Sequence, residues 1–178
     1  MGWGVIDRQG GRLVHVASGT IHTKLSEDLP YRLAELEVGL VEILQAHAPT
    51  HASVETLFFH KDAQAAAKLG HARGVVLLVL QRFAVPIAEY QPARVKRTLA
   101  GGGQADKRQV ALMVRAVLDL ATLPGADATD ALALAITHTR IGGYQEALRQ
   151  AGGGRGPAEV LLAAERRIRR ARLAQRRG

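Results

Sequence analysis

The chain has no cysteine among its 178 residues, so neither a disulfide nor a thiolate-bound zinc can form. No apolar run approaches a membrane span; the longest, Val75 to Leu80, stops at Gln81 and Arg82. The N-terminus lacks a basic stretch followed by an apolar one, so no secretion signal is visible, and the cytosol is the expected location. No internal repeat is present. Gly101-Gly102-Gly103 is followed by Lys107 without the G-K-[ST] ending of a phosphate-binding loop, which argues against nucleotide binding of that kind.

What the chain does have is enough for one globular domain with a real core, at 47% hydrophobic residues. Its net charge of +8 is unevenly spread. Residues 153–178 carry eight arginines against Glu159 and Glu165, a net +6, which leaves about +2 for the rest. A basic surface fits nucleic acid but is shared with many proteins that never touch it.

Hydrophobic periodicity and turn residues divide the chain. Gly2–Asp7 and Arg12–Thr23 read as strands around the turn Arg8-Gln9-Gly10-Gly11. Pro30 to Ala46 has helical spacing and stops before Pro49. Ala52–Glu55 reads as a short buried strand, 62–83 as a long helix and Val85–Tyr90 as a strand. Helical segments over roughly 92–99 and 105–121 flank the triple glycine, and a helix from Asp127 to about Arg140 follows. A hairpin followed by alternating strand and helix predicts an α/β fold, a mixed sheet flanked by helices, over residues 1–150. Residues 151–157 (A-G-G-G-R-G-P) read as a linker. Residues 158–178 read as a basic tail with a thin apolar stripe at Leu161, Ala164, Ile168 and Ala171.

Chemistry concentrates in three carboxylates. Asp127 and Asp130 open an apolar helix in A-D-A-T-D-A-L-A-L-A-I-T-H, and Glu55 ends the strand in H-A-S-V-E-T-L-F-F-H-K. Positions three apart share a helix face, and the carboxyl end of a strand borders the usual crevice of an α/β fold. Such a set suits a hard divalent cation and phosphodiester chemistry. Asp127 also has a plainer reading as an N-cap, with Asp130 favoured by the helix dipole. Pro49 between His47 and His51 prevents the helix that would align them on a metal, and His138 reads as a packed or surface residue. Phe58 and Phe59, just after Glu55, read either as a buried pair or as a stacking surface for bases.

Seven blocks resemble the RuvC family of bacterial Holliday junction resolvases, in the family's order. They are G-W-G-V-I at 2–6, A-S-G-T-I-H-T at 17–23, L-P-Y-R-L at 29–33 and V-E-T-L-F-F at 54–59. A-A-A-K-L-G-H-A-R-G at 65–74, V-K-R-T-L-A-G-G-G-Q-A-D-K at 95–107 and A-D-A-T-D-A-L-A-L-A-I-T-H at 126–138 complete the set. The resemblance implies an RNase H-like fold and a crossover junction endodeoxyribonuclease, a homodimer cutting opposed strands of four-way junction DNA and leaving 5′-phosphate and 3′-hydroxyl ends. By the same resemblance Glu55, Asp127 and Asp130 would be catalytic ligands of two Mg²⁺ ions per subunit. Phe58, assisted by Phe59, would stack at the crossover, Lys96 and Lys107 would face DNA, and helix 62–83 would supply much of the dimer interface. The RuvA–RuvB branch-migration complex would be a partner.

The sequence departs from that pattern at its start. The family opens with a strand ending in G-I-D-P-G, whose aspartate is the first metal ligand, whereas Met1 falls where the next strand begins. Asp7 leads into the hairpin turn, at the wrong end of its strand to substitute. The expectation is therefore a domain without its N-terminal strand, from a start codon assigned too late or from a fragment. The alternative function is a protein that binds branched DNA without cutting it.

Overall fold

A computed structural model describes residues 1–56, 63–102 and 105–142. The expectations for Phe58, Phe59, the linker and the basic tail fall outside the described residues. Within them the chain runs β1 (Gly2–Gln9), β2 (Arg12–Thr20), α1 (Leu29–His47), β3 (Ala52–Glu55), α2 (Ala63–Arg82), β4 (Ile87–Tyr90), α3 (Pro92–Ala100), α4 (Lys107–Val117) and α5 (Ala126–Ile141).

Local chemistry sets these limits. Gly10 and Gly11, at φ of 54° and 87°, make the tight β1–β2 turn that residues with a side chain resist. Asp28 caps α1 by accepting from the Tyr31 N–H, and Ala48 closes it in the left-handed region before Pro49. Asp106 and Gln109 form a reciprocal capping box that fixes the start of α4. The Val85 N–H bonds the Leu80 carbonyl as α2 ends, so β4 begins at Ile87 rather than at Val85.

The strands lie between two helical layers with separate cores. Leu36, Leu40 and Leu44 of α1, spaced to share one face, pack with Val76, Val79 and Leu80 of α2 and with Val85. On the other side Val95 and Leu99 of α3, Val110 and Val114 of α4, and Leu132, Ala133 and Ile136 of α5 form the second core. Successive strand residues point to opposite faces. Ala52, Val54 and Ile87 accordingly join the α1–α2 core, while Ala88 and Tyr90 join the core containing α5.

The mixed sheet is present as two ladders. β1 and β2 pair antiparallel with an irregularity between Val5 and Ile6, and β3 and β4 pair parallel from Ala52↔Ile87 to Glu55↔Tyr90. No ladder joins β1 to β3 among the described residues. Helix α5 makes the connection instead, packing against β1, β2 and β3. No helix among the described residues is long and apolar enough to cross a membrane.

Candidate active site

Glu55 ends β3, on the opposite side of the strand from Val54 and Ala52. Since those two residues face α1 and α2, Glu55 faces the layer that contains α5. The strand end is held in place there: the Thr56 N–H bonds the Tyr90 carbonyl at 2.9 Å, and the Thr56 hydroxyl bonds the same oxygen at 3.3 Å. Partial burial raises the pKa of Glu55 above its ordinary value. The nearby Asp130 carboxylate raises it further, and Lys107 opposes both. Glu55, Asp130 and Lys107 thus share one local field.

Asp130 and Lys107 bring the starts of two helices together. Lys107 Nζ, at the first turn of α4, lies 3.8 Å from Asp130 Oδ2 in the first turns of α5. Both side chains are exposed, so this contact contributes little to stability and leaves both groups accessible to a ligand. Lys96 lies in α3, which follows directly after Tyr90 and Gln91, and takes part in none of the ion pairs among the described residues.

The capping explanation for Asp127 does not hold. α5 begins at Ala126 behind Gly125, no side chain caps it, and the Asp127 side chain is exposed one position inside the helix. The Thr129 N–H, which an aspartate cap at 127 would receive, bonds the Gly125 carbonyl instead, and the Thr129 hydroxyl donates to the Pro124 carbonyl. The Asp127 backbone is pressed against Gly2: a β-carbon on that glycine would fall 2.0 Å from the Asp127 carbonyl oxygen. Gly4 makes a similar approach to Leu132, 2.6 Å from one of its methyl carbons. These two glycines let β1 lie directly on the first half of α5.

The donor set fits a hard cation as a pair. Among the described residues no three of His, Asp and Glu are arranged to hold a metal ion. Mg²⁺ does not need such a cage, because it binds through one or two carboxylates, waters and substrate phosphates. Glu55 and Asp130 offer oxygens only, and the repulsion that raises Glu55 is what a divalent cation would relieve.

A second polar cluster, which sequence reading did not predict, ties α5 to the parallel ladder. The Tyr90 hydroxyl and His138 Nδ1 are 2.9 Å apart in the interior, and the His51 ring stands 5.7 Å from that of His138. Burial lowers the pKa of both histidines, and His51 lowers that of His138 further. Of the two expectations for His138, packed or on the surface, the structure shows the first. His47 stacks against Trp3 at the end of α1, 5.8 Å between centroids.

Comparison with known proteins agrees with this geometry. The sequence model described as "Crossover junction endodeoxyribonuclease RuvC" matches residues 1–138. A protein of that name from Sorangium cellulosum is 54% identical over 152 residues, covering 85% of each chain. Its namesake from Parvibaculum lavamentivorans is 47% identical over 158 residues, covering 86% of this chain and 90% of the relative. The Thermus thermophilus RuvC structure superposes with a TM-score of 0.72 at 34% identity, over 79% of this chain and 89% of that one. A T. thermophilus RuvC structure in complex with a Holliday junction substrate gives the same TM-score and identity, over 76% of this chain and 84% of that one. With the RNase H-like fold of those structures and a family match over most of its length, this chain belongs to the RuvC family of crossover junction endodeoxyribonucleases.

Proposed function

We propose that the protein is a Mg²⁺-dependent, structure-selective endonuclease that resolves four-way (Holliday) DNA junctions in recombination and repair. The observation that carries this reading is the shared field of Glu55, Asp130 and Lys107 at one edge of the fold. Its raised proton affinity suits Glu55 to take a proton from an attacking water, because a base works best with a pKa closer to the working pH. Lys107 stands where it can neutralise charge developing on the phosphate. Asp127 is assigned as a further ligand on the exposed first turn of α5. When bound, Mg²⁺ supplies charge neutralisation and activation of water at these carboxylates.

The substrate is inferred from the T. thermophilus relative, whose structure holds a Holliday junction. Phe58 and Phe59 are assigned to stacking at the crossover, and Lys96 to the DNA backbone. The active form is proposed to be a cytoplasmic homodimer joined through α2, which exposes Leu69 and Leu78, with RuvA–RuvB as its partner complex. Two Mg²⁺ ions per subunit are part of the proposal. The test is cleavage of synthetic four-way, flapped and linear DNA with Mg²⁺. Nicks carrying 5′-phosphates at the crossover are expected, lost by about 10²-fold or more in Glu55→Gln with junction binding retained. Equal cutting of linear duplex, or an active Glu55→Gln protein, would overturn it.

The second reading, binding without efficient cutting, rests on the carboxylate pair. Among the described residues no three such side chains, Asp127 included, are grouped closely enough to hold a metal ion, and on this reading cleavage is slow relative to binding. Robust cutting by residues 1–178 alone would remove this second reading.

A further inference from the structure

An open groove of about 650 Å³ runs between the start of the hairpin and the outer face of α1. None of Glu55, Asp127 and Asp130 lines it. Trp3, Ile21, Tyr31 and Val38 form its apolar walls, with Glu35 and Glu42 among its polar lining. Val38 is 57% exposed and Tyr31 45%, so apolar surface is left open on an element whose opposite face is fully packed. Helix α1 is also acidic, holding Glu35, Glu37 and Glu42 against Arg32. A second groove, lined by Leu44, Gln45, Ala48, Pro49, Phe83 and Val85, has no charged residue. The Trp3 groove therefore pairs apolar walls with carboxylates, which repels a phosphate backbone and suits a basic, amphipathic peptide.

The chain carries such a peptide. Its last 36 residues lie beyond Gly142, the end of the described residues, and hold all eight of the arginines counted at 153–178 with apolar positions at Leu161, Ala164, Ile168 and Ala171. We propose that the arginine-rich segment 155–177 seats in the Trp3–Tyr31–Val38 groove of its own chain. The stripe meets Ile21, Val38 and the edge of Trp3, and arginines reach Glu42 and the exposed Tyr31 ring, where planar guanidinium groups stack well. Lys24 Nζ already stands 5.9 Å from the Tyr31 ring centroid, so that face attracts a cation in this structure. Glu35 is partly engaged, accepting from the Lys24 N–H, which leaves Glu42 as the main carboxylate for the segment.

Reach permits the contact. The end of α5 is tied to the far end of the hairpin, where Arg8 Nη2 donates to the Thr139 carbonyl at 3.0 Å. From there to Trp3 is about 17 Å along β1, and the chain from 143 to 157 spans up to about 50 Å. Seated in the groove, the arginines are withheld from DNA, so a junction and the groove compete for them.

The test uses the full chain. Because cysteine is absent, Val38→Cys with Ile168→Cys creates one possible disulfide. It should form within single chains at about 0.05 M salt and be suppressed at about 0.5 M, where charge is screened. Pairing Ile168→Cys with Arg12→Cys, at the far end of the hairpin, should give several-fold slower cross-linking. Trp3, the one tryptophan, reports the same contact by acrylamide quenching. It should be shielded at low salt, and exposed when Arg166, Arg167, Arg169 and Arg170 are replaced by serine. Equal cross-linking at both positions, disulfides only between chains, or quenching indifferent to the four arginines would overturn the proposal.

Discussion

Gly2 and Asp127 touch backbone to backbone, so closely that a β-carbon on Gly2 would fall 2.7 Å from the β-carbon of Asp127 as well as on its carbonyl. Neither β1 nor α5 can yield freely, since Gly4 and Leu132 meet just below. Gly2→Ala should therefore push the first turn of α5 outward. The expected cost is about 1–3 kcal/mol of stability. If Asp127 is the metal ligand proposed above, cleavage should fall by up to about 10²-fold, because a displacement of about 1 Å at such a group is expensive. Thermal melts and single-turnover cleavage of a junction separate the two effects, and the second should persist at temperatures where the variant is fully folded.

Glu55 should be a stabilising site to mutate. Its raised pKa means that the folded state holds the proton more tightly than the unfolded chain, so ionisation penalises folding. The penalty is absent below the ordinary glutamate pKa and grows as pH rises through the folded value. Glu55→Gln should raise stability at pH 7 by no more than about 0.5 kcal/mol, since water and Lys107 screen an exposed group, and by nothing near pH 4. Denaturant titrations at the two pH values check this. A destabilised Glu55→Gln protein at neutral pH would mean that Glu55 is held by attractions, not penalised by burial and by Asp130.

Acid should loosen the junction between α5 and the parallel ladder. His138 and His51 have lowered pKa values, so the unfolded chain binds protons before the folded one does. Their contribution is complete above the ordinary histidine pKa of about 6.5 and is lost as pH falls through the folded values. His51→Asn should make stability less steep in pH over that window. Tyr90→Phe should cost about 1–3 kcal/mol by leaving His138 Nδ1 buried without its partner.

The basic tail should govern how strongly DNA binding depends on salt. Each arginine that neutralises a phosphate adds about 0.9 to the slope of log affinity against log salt. Deleting residues 153–178 should flatten that slope and lower affinity for four-way and linear DNA alike, with junction preference kept. Loss of the preference without loss of duplex affinity would make the tail a recognition element.

Much of this was legible in the chain. Element limits follow glycine, proline and helical period closely enough that β3 and the two ends of α1 fall where the residues point. Helix α4 stops at Val117, short of the expected 121, because Asp119 adopts φ of 51° and Arg115 Nε bonds the Leu120 carbonyl, closing the turn. The alternation of Ala52, Ser53, Val54 and Glu55 already commits the glutamate to the face away from the apolar pair. The pairing of Tyr90 with His138, 48 residues apart, leaves no such trace, since neither residue breaks its local pattern. Nor does the separation of the strands into two ladders, since strand propensity does not say which strands pair.

The brevity of β3 has a cost in tolerance to change. Four residues carry its whole register, fixed by the Ala52 N–H on the Pro86 carbonyl at one end and the Thr56 N–H on the Tyr90 carbonyl at the other. A single deletion in the 48–51 loop would draw the strand back by one place. Val54 would then face α5 and Glu55 would enter the aliphatic core with Leu40 and Val79. Such a lesion leaves every carboxylate in the sequence, and a search for the motif would pass it as intact. Loop length before β3 therefore decides which face Glu55 occupies as firmly as the strand's own alternation does.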